Sequence, residues 1–254
     1  MKDGDFGASF ELNEIQHAYD INFAMDVARL ASTEEKDLQI VDFGCGNGDK
    51  ISGLLSKMAG GGEVEVHYLG ADIDEKNVVV ARDRVGKEKG VKSSEVFQID
   101  LKDLHNLQAL ILNRLDASRI NVYFFDNSLH FLDPNSINEL LKICCKFAPP
   151  QTQVLATVCS IWNKTSIGDV GNKNQLYRIR ETLLATEHDQ SEILWRESDE
   201  IEHKVSMSHF TREAMINVFS KAGFVVQDCV WWNNVIYPNG ISGLKENIKL
   251  RATK

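Results

Sequence analysis

The sequence contains no apolar run near the roughly 18 residues that a membrane-spanning helix needs. Its opening stretch, MKDGDFGASFELNE, also lacks the basic-then-apolar layout of a secretory signal. A cytoplasmic protein without a membrane partner is the expectation. Basic residues are in deficit, with 28 Lys and Arg against 37 Asp and Glu and a formal charge of −9. That balance gives no long-range attraction to phosphate backbones, which argues against nucleic acid as a partner. Cysteine is sparse and odd in number: Cys45, Cys144, Cys145, Cys159 and Cys229. Most of these lie in apolar stretches, as buried thiols of a reducing compartment do, and disulfides are not expected. Cys144 and Cys145 are adjacent, which is not a metal-site spacing, and the seven histidines are scattered. No metal is expected, and nothing in the sequence reports an oligomeric state.

What is present is a long alternation of strand-like and helix-like segments. Leu12, Ile15, Tyr19, Phe23, Val27 and Leu30 recur every three or four residues, one face of an opening helix. An apolar run then ends at Asp42-Phe43, before Gly44-Cys45-Gly46-Asn47-Gly48. Further strands are expected over Glu63–Asp72, Val96–Asp100, Ile120–Asp126 and Val154–Cys159. Asp74 is placed to cap a helix running toward Gly86 or Gly90. INVYFFD is nearly all apolar, as a strand buried on both faces is. The helix containing Ile137, Leu140 and Leu141 stops before Pro149-Pro150. Residues Ile161–His209 are polar and acidic, with no clear strand. Thr211 then caps a helix that Gly223 closes, and strands follow over Phe224–Trp232 and Glu246–Thr253 around the turn Tyr237-Pro238-Asn239-Gly240. Such alternation implies a doubly wound α/β sheet, mostly parallel. The final pair is joined by too few residues for a helical crossover, so its strands are expected to be antiparallel. A single domain over 1–254 fits the length.

The glycine loop carries the chemistry. Glycines permit a tight turn and let a ligand approach the backbone, and the helix start beyond them offers free N–H groups. The spacing is G-x-G-x-G with Asp42 two residues before Gly44. A pyrophosphate site usually reads G-x-G-x-x-G, and an acid there would repel the phosphates. This segment resembles the first motif of the class I S-adenosylmethionine-dependent methyltransferases, hydrophobic-D/E-x-G-x-G-x-G. The likeness continues in order from about Leu38 to the C-terminus.

The resemblance implies a seven-stranded, mostly parallel sheet with an antiparallel last strand and an N-terminal helical cap over residues 1–33. It also implies a cofactor site formed by Asp42, Gly44, Cys45, Gly46 and Gly48. Asp72, 28 residues after Gly44, falls where the family has the acid that binds both ribose hydroxyls, and Ile73 beside it where a residue packs on adenine. Asp74 competes for the ribose role but is better explained as a helix cap. Asp100, a further 28 residues on, matches the acceptor for the adenine amino group, with Leu101 against the ring. Backbone carbonyls near Asn127 would hold the amino group of the cofactor, whose product is S-adenosylhomocysteine.

The segment Asn127-Ser128-Leu129-His130-Phe131-Leu132 resembles the S-x-x-H-h-L-type segment of many small-molecule methyltransferases. By that resemblance His130 faces the acceptor, with Phe131, as a general base if the acceptor gives up a proton in the reaction. A histidine packed under the loop is the other reading. Enzymes that methylate exocyclic amines of bases show N/D-P-P-Y/F here, whereas this chain has Asp126-Asn127-Ser128-Leu129. Residues 161–209 would recognise the acceptor, with Trp162 and Tyr177 lining its pocket. Arg178 and Arg180 could receive an acidic substrate, though pairing with Glu181 and neighbours on a solvated helix is the preferred reading. The expected activity is methyl transfer from S-adenosylmethionine to O or N of a small molecule. A protein or RNA acceptor, a catalytically silent cofactor-binding scaffold and a nicotinamide oxidoreductase are the alternatives.

Overall fold

Strands that are apolar on both faces must be covered on both faces, and the sheet is built around such strands. A computed structural model describes residues 14–58, 64–159, 194–198, 206–232 and 247–254. In chain order these are α1 (Glu14–Thr33), β1 (Leu38–Phe43), α2 (Asp49–Met58), β2 (Val66–Asp72), α3 (Glu75–Val85) and β3 (Val91–Gln98). There follow α4 (Leu104–Arg114), β4 (Ile120–Asp126), a 3₁₀ turn (Leu129–Phe131), α5 (Pro134–Phe147) and β5 (Gln153–Cys159). The rest are β6 (Leu194–Ser198), β7 (Ser206–Phe210), α6 (Arg212–Ala222), β8 (Val225–Trp232) and β9 (Asn247–Thr253). Among the described residues no helix is long and apolar enough to cross a membrane.

Seven strands form one sheet in the order β3-β2-β1-β4-β5-β9-β8. The links from β3 through β5 are parallel, and β9 runs antiparallel to both β5 and β8. β1 and β4 are buried almost throughout and sit at the centre, as their composition requires. One face packs against α1, α2 and α3 through Phe23, Val27, Leu55, Val78 and Tyr68. The other packs against α4, α5 and α6 around Phe43, which stacks on Phe125 with ring centroids 4.7 Å apart. The winding direction reverses between β1 and β4. In such sheets that reversal opens a crevice beyond the strands' carboxyl ends, where ligands bind.

The helix ends follow from local chemistry. The Asp74 carboxylate accepts from the Lys76 amide at 2.8 Å, and the Thr211 hydroxyl accepts from the Ala214 amide at 3.0 Å. Pro134 opens α5 behind the capping carboxylate of Asp133. Gly223 ends α6 in the left-handed region, with φ of 104°.

Two expectations need correction. The third strand begins at Val91, not Val96, and stops at Gln98. It is an edge strand with only Val96 buried, so its polar residues carry no apolar pattern to read. The segment 161–209 does contain strands. β6 and β7 pair antiparallel in a separate two-stranded sheet, whose five-residue strands are too short and polar to stand out. Leu12 and the turn at 237–240 lie outside the described residues.

Replacing Gly223 tests the α6–β8 junction. A Cβ there would sit 3.0 Å from Cys145 Sγ on a backbone that disfavours side chains. Gly223→Ala is expected to lower stability by about 1–2 kcal/mol in urea unfolding. An unchanged midpoint would contradict this account of the helix end.

Candidate functional site at the carboxyl edge of the sheet

The glycine loop leaves β1 at the sheet reversal and is held by backbone bonds. The amides of Gly44 and Cys45 both donate to the Ala71 carbonyl, at 2.7 and 3.0 Å. Gly44 has φ of 79°, and a Cβ there would lie 2.5 Å from the Ser128 Cβ. Only glycine therefore lets the turns after β1 and β4 touch. Gly46, with φ of 53°, would present a Cβ to open space, since no atom lies within 4 Å of it. Gly44 is consumed by packing, as is Gly48, where a Cβ would lie 3.2 Å from Ala81 of α3, whereas Gly46 leaves a bare face of backbone.

Asp72 closes the second side. It ends β2 at 9% exposure. One oxygen accepts from the Gly46 amide at 2.8 Å, and the other from the Asp74 amide at 2.9 Å and Asn77 Nδ2 at 3.3 Å. Three donors from three places fix the carboxylate. Ile73 follows it, 64% exposed, a large apolar side chain left uncovered at the mouth. Asp100 is brought close by the pairing of β2 with β3 and by the Ile99 amide, which donates to the Asp72 carbonyl at 2.9 Å. Its carboxylate accepts from the Lys102 amide at 2.9 Å, and Leu101 is buried beside it.

Asp42 lies deeper than the other acids. It is 2% exposed, and its carboxylate oxygen accepts from the Tyr68 hydroxyl at 3.0 Å. Burial pushes its pKa up to about 8, against the Tyr68 bond, and the Asp126 and Asp72 carboxylates add to the rise. Asp42 thus carries a proton at neutral pH and braces β1 against β2 beneath the loop. Cys45, within the loop, is half-buried, and burial raises its thiol pKa well above the ordinary range.

The turn after β4 forms the third side. Asn127 adopts φ of 53°, and its amide donates to the Thr157 carbonyl at 3.0 Å. His130 is 3% exposed, with Nε2 3.9 Å from Cys159 Sγ and its ring 4.2 Å from that of Phe131. Burial, with neighbouring His209, lowers its pKa to about 3, so the imidazole is neutral at neutral pH. Phe131 is 46% exposed. Trp162 and Tyr177 lie outside the described residues. Gly44, Gly46, Asp72, Ile73, Asp100, Leu101 and Asn127 thus follow the strand ends along one edge, while Gly48 packs against α3 and His130 inside the turn.

Sequence reasoning missed an ion network beside this edge. Lys50, in the first turn of α2, bonds Asp126 at the end of β4 and lies 3.6 Å from Asp20 of α1. Asp20 in turn pairs with Lys249 of β9 at 2.5 Å, across 229 residues of sequence. The visible signal was a charge inside each of two otherwise buried segments, INVYFFD and NIKLRAT.

The buried proton on Asp42 has a consequence for stability. An unfolded carboxyl releases its proton near about pH 4, whereas the folded protein keeps it to about 8. The folded state therefore binds the extra proton within that window, and stability falls as pH rises through it. Asp42→Asn keeps an acceptor for Tyr68 and needs no proton. Urea unfolding at about pH 5 and about pH 8 should show the variant gaining about 1–3 kcal/mol on wild type between the two. Parallel pH profiles would mean that Asp42 is ionised.

No protein-family model and no curated protein matches the chain. Solved structures do match it in fold. A methyltransferase from Methanosarcina mazei, described as dependent on S-adenosylmethionine, aligns over 86% of this chain and 93% of its own at 18% identity, with a TM-score of 0.54. The 1,6-didemethyltoxoflavin-N1-methyltransferase of Burkholderia thailandensis, with S-adenosylhomocysteine bound, aligns over 93% of this chain and 80% of its own at 13% identity and 0.53. The geranyl diphosphate C-methyltransferase of Streptomyces coelicolor A3(2) aligns over 93% and 77% at 12% identity and 0.51. The seven-stranded sheet with its single antiparallel strand is thus a fold that this chain shares with these solved methyltransferases.

Proposed function

We propose that the protein transfers a methyl group from S-adenosylmethionine to an O or N atom of a small-molecule acceptor by in-line displacement. The observation that carries the reading is the Asp72 carboxylate, immobilised by three donors at the rim of the crevice beside the open backbone of Gly46. A fixed carboxylate next to bare backbone suits a vicinal diol, and an uncovered Ile73 suits a flat apolar ring. Both belong to an adenosyl group. Asp72 then holds the ribose hydroxyls, Ile73 and Leu101 flank the adenine, and Asp100 accepts from its amino group. Cys45 and Gly46 supply the loop's backbone surface, while Gly44 and Gly48 shape the turn. Asp42 contributes through the loop it supports.

When bound, the cofactor supplies an electrophilic methyl group on a sulfonium that is already an excellent leaving group. The protein's work is then alignment of the acceptor and exclusion of water. Asn127, in its strained conformation at the end of β4, fixes the backbone where the cofactor's amino group is held. Phe131, exposed beside the crevice, offers an apolar wall to the acceptor. The neutral imidazole of His130, packed beneath Phe131, acts by holding the turn that faces the acceptor. Residues 1–33 act as a cap and 161–209, with Trp162 and Tyr177, as the acceptor-recognition element of one 1–254 domain. The acidic net charge favours a small molecule over nucleic acid. Two of the fold neighbours are named for small-molecule acceptors, one methylated at nitrogen and one at carbon.

Isothermal titration with S-adenosylhomocysteine, beside NADH, tests the cofactor. Binding of the first alone is expected, and preference for NADH would overturn the reading. Asp72→Ala should weaken S-adenosylhomocysteine by about 2–4 kcal/mol through two lost charged hydrogen bonds; equal affinity would remove Asp72 from the ribose role.

His130→Ala should lower turnover with little change in cofactor affinity. Because the buried imidazole is neutral, wild-type turnover should show no ionisation near about pH 6.5, the usual histidine value. An acid limb at that pH, absent from the variant, would contradict the burial of His130.

A further inference from the structure

The glycine loop is held at its start by the Ala71 carbonyl and in its middle by Asp72, but its last part is held from α3. Glycine-rich backbone has few torsional preferences of its own, so what fixes it must come from its neighbours. Gly48 fits against α3, where a Cβ would meet Ala81 Cα and Val85 Cγ2 at 3.2 Å. Between those two residues, in the last turn of the helix, stands Arg84. Its Nη1 donates to the Asn47 carbonyl at 2.7 Å and lies 2.6 Å from Asp49 Oδ1. Asn47 is tied to Asp49 as well. Its Nδ2 donates to Asp49 Oδ2 at 2.8 Å, and its Oδ1 accepts from the Asp49 amide at 3.1 Å. These three residues thus join the end of the loop, the start of α2 and the end of α3.

The same helix supports the acid that the loop must meet. The Asp72 carboxylate accepts from the amide of Asp74, the N-cap of α3, and from Asn77 in its first turn. Arg82 holds α3 to the sheet, its Nη2 donating to the Val96 carbonyl of β3 at 2.5 Å. One helix therefore references both parts of the cradle, the carboxylate at its beginning and the loop backbone at its end. Folding stability alone does not explain an arginine at position 84. Arg84 and Asp49 are 35% and 55% exposed, and an ion pair so exposed adds little to stability. The bond to Asn47 does more, because Asn47 directly follows Gly46. A charge-assisted bond to that carbonyl sets which way a peptide unit of a permissive loop faces.

We propose that Arg84 is a positioning residue for the cofactor: by holding the Asn47 carbonyl, it keeps the Gly46 amide on the Asp72 carboxylate before the adenosyl group arrives. The inference rests on the cofactor reading above. Arg84 acts through the loop, and its loss leaves the loop to be ordered at the expense of binding.

The test uses the full chain as wild type, Arg84→Met, Arg84→Lys and Lys87→Met. The last removes the exposed Lys87–Asp83 pair at the same end of α3. Each is titrated with S-adenosylhomocysteine and checked by thermal melting. The Gly46 amide is followed without ligand, by NMR of protein carrying isotope-labelled glycine, and assigned by its loss in Gly46→Ala. Arg84→Met should weaken S-adenosylhomocysteine by about five-fold or more and move the Gly46 amide proton upfield as its bond to the carboxylate loosens. Its melting temperature should stay within about 2 °C of wild type. Arg84→Lys should recover most of the affinity and of the NMR shift, and Lys87→Met should match wild type. Unchanged affinity in Arg84→Met, weaker binding with an unmoved Gly46 signal, or an equal loss in Lys87→Met would overturn the inference. A melting temperature that falls together with the affinity would make Arg84 a structural brace of α3 and overturn it too. If wild type binds no S-adenosylhomocysteine, the cofactor reading fails and takes the inference with it, and the Gly46 signal then shows whether Arg84 still holds the loop.

Discussion

The Gly46 amide meets the Asp72 carboxylate at 2.8 Å, and the crevice takes its form from that contact. The bond ties the loop after β1 to the end of β2 at the point where a doubly wound sheet reverses. It needs a residue without a side chain on one strand and an acid at the carboxyl end of the next. The same loop must also clear Ser128 on its far side, which only a glycine at position 44 allows. Backbone and carboxylate are thereby set before any ligand arrives, and a preorganised site loses less free energy to ordering on binding.

Charge is handled differently on the two sides of this contact. Asp42, directly below, is kept neutral by burial, so the loop does not rest on an unpaired anion. Beyond β4 the protein instead sets acids against lysines in pairs, Asp126 with Lys50 and Asp20 with Lys249. Tyr68 links the two solutions, since its ring fills the core under α1 and α2 while its hydroxyl satisfies Asp42. The closed Asp20–Lys249 pair joins the opening helix to the last strand, so α1 is positioned by a charge as well as by Phe23 and Val27.

Much of the fold was legible because its central strands are extreme. INVYFFD and the run before Asp42 have no polar face, which only a doubly covered strand tolerates. The edge strand at Val91–Gln98 was misjudged because only Val96 of it is buried, and the β6–β7 pair because five-residue strands carry too little pattern to read. The glycines, Asp72 and Asp100 announced themselves by spacing, since a loop and two strand ends recur at fixed intervals in a winding sheet. Nothing local announced Asn77 as a support for Asp72, or Asp20 as the partner of Lys249. Those contacts are made by residues from separate elements, and sequence spacing carries no trace of them. The burial of His130 was legible only as one of two readings, because it depends on Cys159 and on His209 of β7.

The central claim is that Asp72 and the Gly46 backbone form a cradle for an adenosyl group. A crystal structure of the chain grown with S-adenosylhomocysteine tests it most directly. The account predicts both ribose hydroxyls within hydrogen-bond distance of the Asp72 carboxylate and the adenine lying against Ile73. A nucleoside bound elsewhere, with Asp72 still bonded only to Gly46, Asp74 and Asn77, would contradict it.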